Sequence, residues 1–113
     1  MTWKKNKYKA KQCKIDGINF PSLLEMRCYS QLKLLQQAGE FKFFLMQIPF
    51  SLPGGVKHKI DFAVFYEEQY KFIEAKGRDL PIGKLKRKQV EDIYGITVHV
   101  VKNEKELTKV LAK

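Results

Sequence analysis

Lys57-His58-Lys59-Ile60-Asp61-Phe62-Ala63-Val64-Phe65-Tyr66, then Glu67-Glu68, then Gln69-Tyr70-Lys71-Phe72-Ile73-Glu74-Ala75-Lys76, is the stretch on which the fold turns. Both halves are rich in β-branched and aromatic residues, and a short polar step divides them. The pattern predicts a hairpin of two strands, 57–66 and 69–76. With Glu67 and Glu68 as the central turn residues, Tyr66 pairs with Gln69, and counting outward sets Asp61 opposite Glu74. Side chains paired in this way have Cβ atoms roughly 4.5–5.5 Å apart. Glu-Glu is not a preferred two-residue turn, so the turn count is the step on which the pairing depends.

Two facing carboxylates in apolar strands repel each other, and a divalent cation removes the conflict. Hard Mg²⁺ or Mn²⁺ prefers carboxylate and carbonyl oxygens. Residues two apart on a strand share a face, so Lys76 projects beside Glu74, where an ammonium can act on a water or offset charge on a phosphate. Ala75 points the other way, but its carbonyl is available as a further metal ligand. Such a set suits phosphodiester hydrolysis. The structural alternative is a salt bridge from Asp61 or Glu74 to Lys59 or Lys76. A purely incidental Asp61 is disfavoured, because an unpaired carboxylate in an apolar strand is expensive to bury.

Working outward from the hairpin, Phe41 to Leu52 reads as one bent strand or two short ones around Pro49, ending at Pro53-Gly54-Gly55. Upstream, a helix is expected from Pro21 to Ala38. Ser22-x-x-Glu25 is a capping-box pattern, Leu24, Cys28, Leu32 and Leu35 share a stripe, and Gly39 suits the C-terminal stop. Ile15-Asp16-Gly17-Ile18 reads as a tight turn before it. Downstream, Pro81 opens a helix to Tyr94 closed by Gly95, with Ile82, Leu85, Val90 and Ile93 toward the sheet. Ile96 to Val101 is a buried strand, and Asn103-x-x-Glu106 caps a last helix with Leu107, Val110 and Leu111 inward. The order α-β-β-β-α-β-α defines an α/β domain, a mixed sheet flanked by helices.

The 113 residues allow one domain, over 15–113, preceded by a basic arm, 1–14, that carries Lys4, Lys5, Lys7, Lys9, Lys11 and Lys14. A net charge of +10 favours polyanionic partners, nucleic acid or an acidic surface. Arg78, Lys84, Lys86, Arg87 and Lys88 follow the second hairpin strand directly and are the expected phosphate contacts. The alternative for that run is an ordinary solvated helix face. Cys13 and Cys28 lack metal-ligand spacing and are expected as reduced thiols. With neither an apolar run of membrane-spanning length nor a signal-peptide segment, a cytoplasmic protein is expected, without membrane or small-molecule cofactor.

Asp61 followed after a hairpin by Glu74-x-Lys76, with Glu25 on an upstream helix, resembles the PD-(D/E)xK nuclease superfamily, the restriction-endonuclease-like fold. The resemblance covers most of the chain. Tyr8-x-Ala10, Asp16-Gly17-Ile18-x-Phe20-x-Ser22-x-x-Glu25, Gly39-Glu40, Gln47-x-x-Phe50, Asp61-Phe62 and Glu74-x-Lys76-Gly77 are similar to small phage-encoded nucleases related to the endonuclease I type of Holliday-junction resolvase. It implies a Mg²⁺- or Mn²⁺-dependent DNA endonuclease selective for branched DNA, phage-encoded and acting in the host cytoplasm. In it Asp61 and Glu74 bind metal, Lys76 is catalytic, Glu25 completes the site and Gln47 lies near it. Ile60 stands where the superfamily motif has Pro, a position that varies within the superfamily. One active site on a small domain, set against symmetric branched substrates, suggests a homodimer.

Several residues keep two readings. Glu25 is also the third residue of the capping box, a role worth ~1 kcal/mol. Gln47 is a site residue or a hydrogen-bonding group at a strand end, and His58 edges the site or is an exposed strand residue. The N-terminal lysines clamp DNA or only add solubility. Phe41, Phe43, Phe44, Phe50, Phe62 and Phe65 are read as core. The rival functions are a nuclease subunit of a recombination, transposition or packaging machine, and a non-catalytic nucleic-acid-binding protein.

Overall fold

A computed structural model describes residues 13–112. A short hairpin, β1 (Lys14–Ile15) and β2 (Ile18–Asn19), precedes helix α1 (Leu23–Gln37). Strands β3 (Phe43–Leu52), β4 (Val56–Phe65) and β5 (Tyr70–Ala75) follow, with a 3₁₀ turn at Pro53–Gly55. Helix α2 (Pro81–Tyr94), strand β6 (Val98–Val101) and helix α3 (Glu104–Leu111) complete the order. The sheet runs β3-β4-β5-β6; its first two pairings are antiparallel and β5–β6 is parallel. The expected mixed sheet flanked by helices is present, with the ends of its elements shifted by a few residues. The β1–β2 hairpin is additional, and the anticipated turn at Asp16-Gly17 is its tip, both residues at positive φ. Lys4, Lys5 and Lys7, with most of the expected basic arm, lie outside the described residues.

The caps form where the sequence placed them. Ser22 Oγ accepts from the Glu25 amide at 3.1 Å, and Asn103 Oδ1 accepts from Glu106 at 2.9 Å. Helix α2 ends at Gly95, whose φ of 66° lets its N–H return to Glu91 O, a conformation costly for a residue bearing a Cβ. Cys28, Leu32 and Leu107, fully buried, join Phe62, Val64, Ile73 and Val101 in the core that seals α1 and α3 on one face of the sheet. Cys28 and Cys13 are both free thiols.

The Glu67-Glu68 turn closes as counted, with Tyr66 N donating to Gln69 O at 2.8 Å and no positive φ at either glutamate. The β4–β5 ladder pairs Phe65 with Tyr70 through to Phe62 with Ile73. The next step outward is Asp61 opposite Glu74, and there the backbone pairing stops. Asp61 Oδ2 instead accepts the Ala75 N–H at 2.9 Å.

A second interruption lies at the same level, between β3 and β4. Phe44 and Phe50 are six residues apart, so unbroken alternation would turn both to one face. Phe44 packs on Tyr29 of α1, with ring centroids 5.9 Å apart. Phe50 packs instead on Phe72 of β5 and Tyr94 of α2, at 5.6 and 4.9 Å. The alternation therefore reverses between them. Gln47, at φ 51°, is the left-handed residue of the strand. Register survives the reversal: Met46 pairs with Phe62 and Ile48 with Ile60, while the intervening Gln47–Asp61 step is unpaired.

Two expectations are corrected here. Helix α2 does not press Ile82, Leu85 and Ile93 on the sheet; these stay more than half exposed, and Val90 is its buried residue. The helix is rolled because Arg87, about 50–60° round the helix from Val90, has a buried carboxylate partner on β5. Phe43, expected in the core, is exposed and stacks on Phe65 at 4.8 Å.

Candidate active site

Three carboxylates in the described residues are buried, Glu25, Asp61 and Glu74, at 4, 8 and 1 % exposure. They are the three acids that the sequence singled out. The reversal in β3 and β4 divides them into two groups.

The first group lies toward α1. Glu25 enters from the first turn of that helix, where Ser22 caps its backbone N–H; its own carboxylate forms no return bond to Ser22. Gln47 Nε2 donates to Glu25 Oε2 at 2.7 Å and lies 3.5 Å from Asp61 Oδ1. One amide thus bridges two buried carboxylates, and neither makes a direct salt bridge with a described residue. Burial, then the charge of Asp61, pushes the Glu25 carboxyl from 4.5 to about 7, against the opposing pull of Lys76 and Gln47. Burial likewise raises Asp61, and the Glu74 charge adds to it, while the Ala75 N–H, Lys76 and Gln47 oppose. Lys76, just past the end of β5 and half-buried, is tied by its N–H to Val101 O. Its charge acts on Glu25 and Asp61 and also on Asp79, so Lys76 lies within electrostatic range of both groups.

The second group lies toward α2. Glu74 Oε1 accepts from Arg87 Nη1 at 3.0 Å, and its Oε2 meets His58 Nε2 at 2.5 Å. Arg87 also grips Asp79 in the loop before α2, Nη2 to Oδ2 at 2.6 Å and Nη1 to Oδ1 at 3.2 Å. The Arg87 hydrogen bonds hold the Asp79 carboxyl below its usual range. Burial alone would lower the Arg87 pKa, but Asp79 and Glu74 outweigh it and leave it raised. His58 is therefore an inward partner of Glu74 rather than a solvent-exposed strand residue. Arg87, expected among the phosphate contacts, points inward at two carboxylates. Arg78, Lys84 and Lys88 are exposed and Lys86 half-buried. Asp79 was not singled out from the sequence; its signal would have been an acid in the loop leading to a helix that carries the chain's next arginine.

The first group fits a divalent cation in part. Glu25 and Asp61 offer carboxylate oxygens from two separate elements, and an amide N–H occupies the place between them where positive charge is wanted. Glu74 is withheld, both its oxygens being engaged on the other side. Among the described residues no three His, Cys, Asp or Glu side chains converge as a ready ligand cluster.

A buried acid set beside a lysine, at the break of a mixed sheet, defines a candidate hydrolytic or cation-binding site. The chain belongs to the family described as a protein of unknown function, DUF1064, whose model matches residues 5–108. Comparison with curated proteins and with solved structures gave no match. No helix among the described residues is long and apolar enough to cross a membrane.

Proposed function

We propose that this protein is a divalent-metal-dependent DNA endonuclease of the PD-(D/E)xK type, with Asp61 at the centre of its site. The observation that carries the reading is the bridging of Glu25 and Asp61 by Gln47. Two acids from separate elements share one neutral donor, with the Lys76 charge alongside, in a chain of net charge +10. A protein gains no stability from such a pair, whereas a Mg²⁺ or Mn²⁺ ion does gain ligands.

In this reading Asp61 and Glu25 hold the ion, Glu74 joins them when it leaves its present partners, and the Ala75 carbonyl is a further ligand. A bound divalent cation supplies electrostatic activation of a phosphodiester and of the attacking water. Asp61 is fixed by the Ala75 N–H, so its second oxygen is presented toward Gln47 and Glu25. Lys76 counters charge that develops on the phosphate. Exposed Arg78, Lys84 and Lys88, with Lys86, track the DNA backbone beside the site. The N-terminal Lys4, Lys5 and Lys7 add further positive charge for the same polyanion. Branched DNA is the proposed substrate, resting on the resemblance to junction resolvases, and a homodimer in the cytoplasm would place two sites on it.

The test compares cleavage of a four-way junction with its matched linear duplex, with and without Mg²⁺. Metal-dependent junction cleavage that disappears in Asp61→Asn supports the reading. Equal cleavage of both substrates favours a nuclease subunit acting on duplex DNA. Binding without cleavage in Mg²⁺ or Mn²⁺ would leave a non-catalytic DNA-binding protein.

A further inference from the structure

Arg87 is unlike the other cations of α2. Lys84 and Lys88 are exposed and Lys86 is half-buried, whereas the Arg87 side chain is 11 % exposed and spans Glu74 and Asp79. Its geometry has a consequence for the neighbouring Glu25–Asp61 group. Glu74 is the register neighbour of Asp61 across β4 and β5, yet Arg87 and His58 draw its carboxylate toward α2. The Asp79 bonds fix the guanidinium plane, so Arg87 meets Glu74 already oriented.

We propose that Arg87 is a positioning residue that works as a latch, holding Glu74 away from Asp61 and competing with a divalent cation for the Glu74 carboxylate. The inference rests on the nuclease reading only in taking Asp61 and Glu25 as the seat of that cation. A carboxylate as buried as Glu74 keeps its charge only beside a positive partner. In the metal-free protein that partner is Arg87. When the guanidinium is removed, His58 alone remains on Glu74, through Oε2, and Oε1 is released toward a cation at Asp61. Any ligand that binds one partner of a shared group weakens the hold of the other, so latch and ion are reciprocally linked.

The test is calorimetric titration of the full chain with Mn²⁺ alone, in wild type, Arg87→Gln and Arg87→Lys. The latch predicts Mn²⁺ binding about tenfold tighter in Arg87→Gln than in wild type, with Arg87→Lys between them. A purely structural Arg87 would lower the melting temperature without tightening Mn²⁺. If Arg87→Gln gives no cooperative melt, Arg87→Lys carries the comparison, since it keeps the charge and loses the fork that grips Asp79. Mn²⁺ affinity equal to or weaker than wild type in the folded variants overturns the latch and leaves the metal site standing. A wild type that binds no Mn²⁺, with variants that bind none either, overturns both.

Discussion

The two faces of the sheet handle the same problem in opposite ways. Toward α2, Glu74 is buried with a guanidinium and an imidazole on its two oxygens, and a second carboxylate steadies the guanidinium. Toward α1, Glu25 and Asp61 are buried with one amide between them and a lysine within electrostatic range. A paired buried charge is strongly destabilised only when one partner is removed, whereas an unpaired cluster is costly as it stands. The α2 side is therefore a finished ion network. The α1 side is one that a ligand would complete.

The sharpest break of this contrast is in activity. Asp61→Asn keeps an oxygen for the Ala75 N–H, so the fold should survive while the charge disappears. Cleavage in Mg²⁺ should fall by about 10²–10⁴, and Lys76→Ala should fall within the same range. Wild-type rates in either variant, measured under single-turnover conditions, would remove the α1 group from the chemistry.

Next in size is the stability of the paired side. Arg87→Gln strands Glu74 without its principal cation, a change that costs about 3–5 kcal/mol where a buried pair is broken. Urea unfolding in EDTA should show that loss, whereas Gln47→Ala, which removes one amide from the unfinished side, should cost only about 1 kcal/mol. Equal losses would erase the distinction between the two faces.

The charge conflict on the α1 side has a pH signature. The folded protein raises Glu25 from 4.5 to about 7, so it favours the neutral acid more than the unfolded chain does. The stability this gives is complete below the unfolded value and is lost as pH rises through the folded one. Metal-free wild type should therefore weaken between pH 4.5 and about 7 relative to Glu25→Gln, which stays neutral throughout. A tenfold change in proton affinity is worth about 1.4 kcal/mol, so the difference is at most roughly 3 kcal/mol. It should shrink below pH 4.5, where both proteins are uncharged at this position. A melting-temperature difference that is flat across this range would mean that burial and the Asp61 charge do not raise Glu25.

Much of this arrangement was legible in local signals, because the signals were chemical and short-range. Ser22, Asn103, Pro81 and Gly95 mark helix ends by capping and φ preference, and the Glu67-Glu68 step set the register that carries Asp61 to the level of Glu74. Asp61 and Glu74 stood out as charges in apolar strands, whereas Glu25 was marked only by its capping pattern and the family resemblance. Two things were not legible. A glutamine gives no warning that its backbone will turn left-handed, yet Gln47 does so where its side chain meets Glu25 and Asp61. The roll of α2 turns Arg87 onto Glu74, a long-range ion pair, and leaves the apolar stripe of Ile82, Leu85 and Ile93 exposed. Periodicity reads that stripe as the buried one, since it has no means of weighing a buried carboxylate thirteen residues away.

The smallest expected effect separates two roles that the sequence had merged at one residue. Glu25 lies third in a capping pattern and also enters the site, so its importance could have come from either. The structure assigns the cap to its backbone N–H and the site to its carboxylate, which turns to Gln47 instead of back to Ser22. Ser22→Ala removes the cap alone. It should cost ~1 kcal/mol in unfolding free energy. Because α1 is held by Cys28, Leu32 and Tyr29 in the core, its first turn should stay in place and Mn²⁺ affinity should match wild type. Glu25→Gln should do the reverse, keeping the cap and losing Mn²⁺. If Ser22→Ala weakened Mn²⁺ binding as much as Glu25→Gln, the cap would be setting the carboxylate's position, and the two roles would be one.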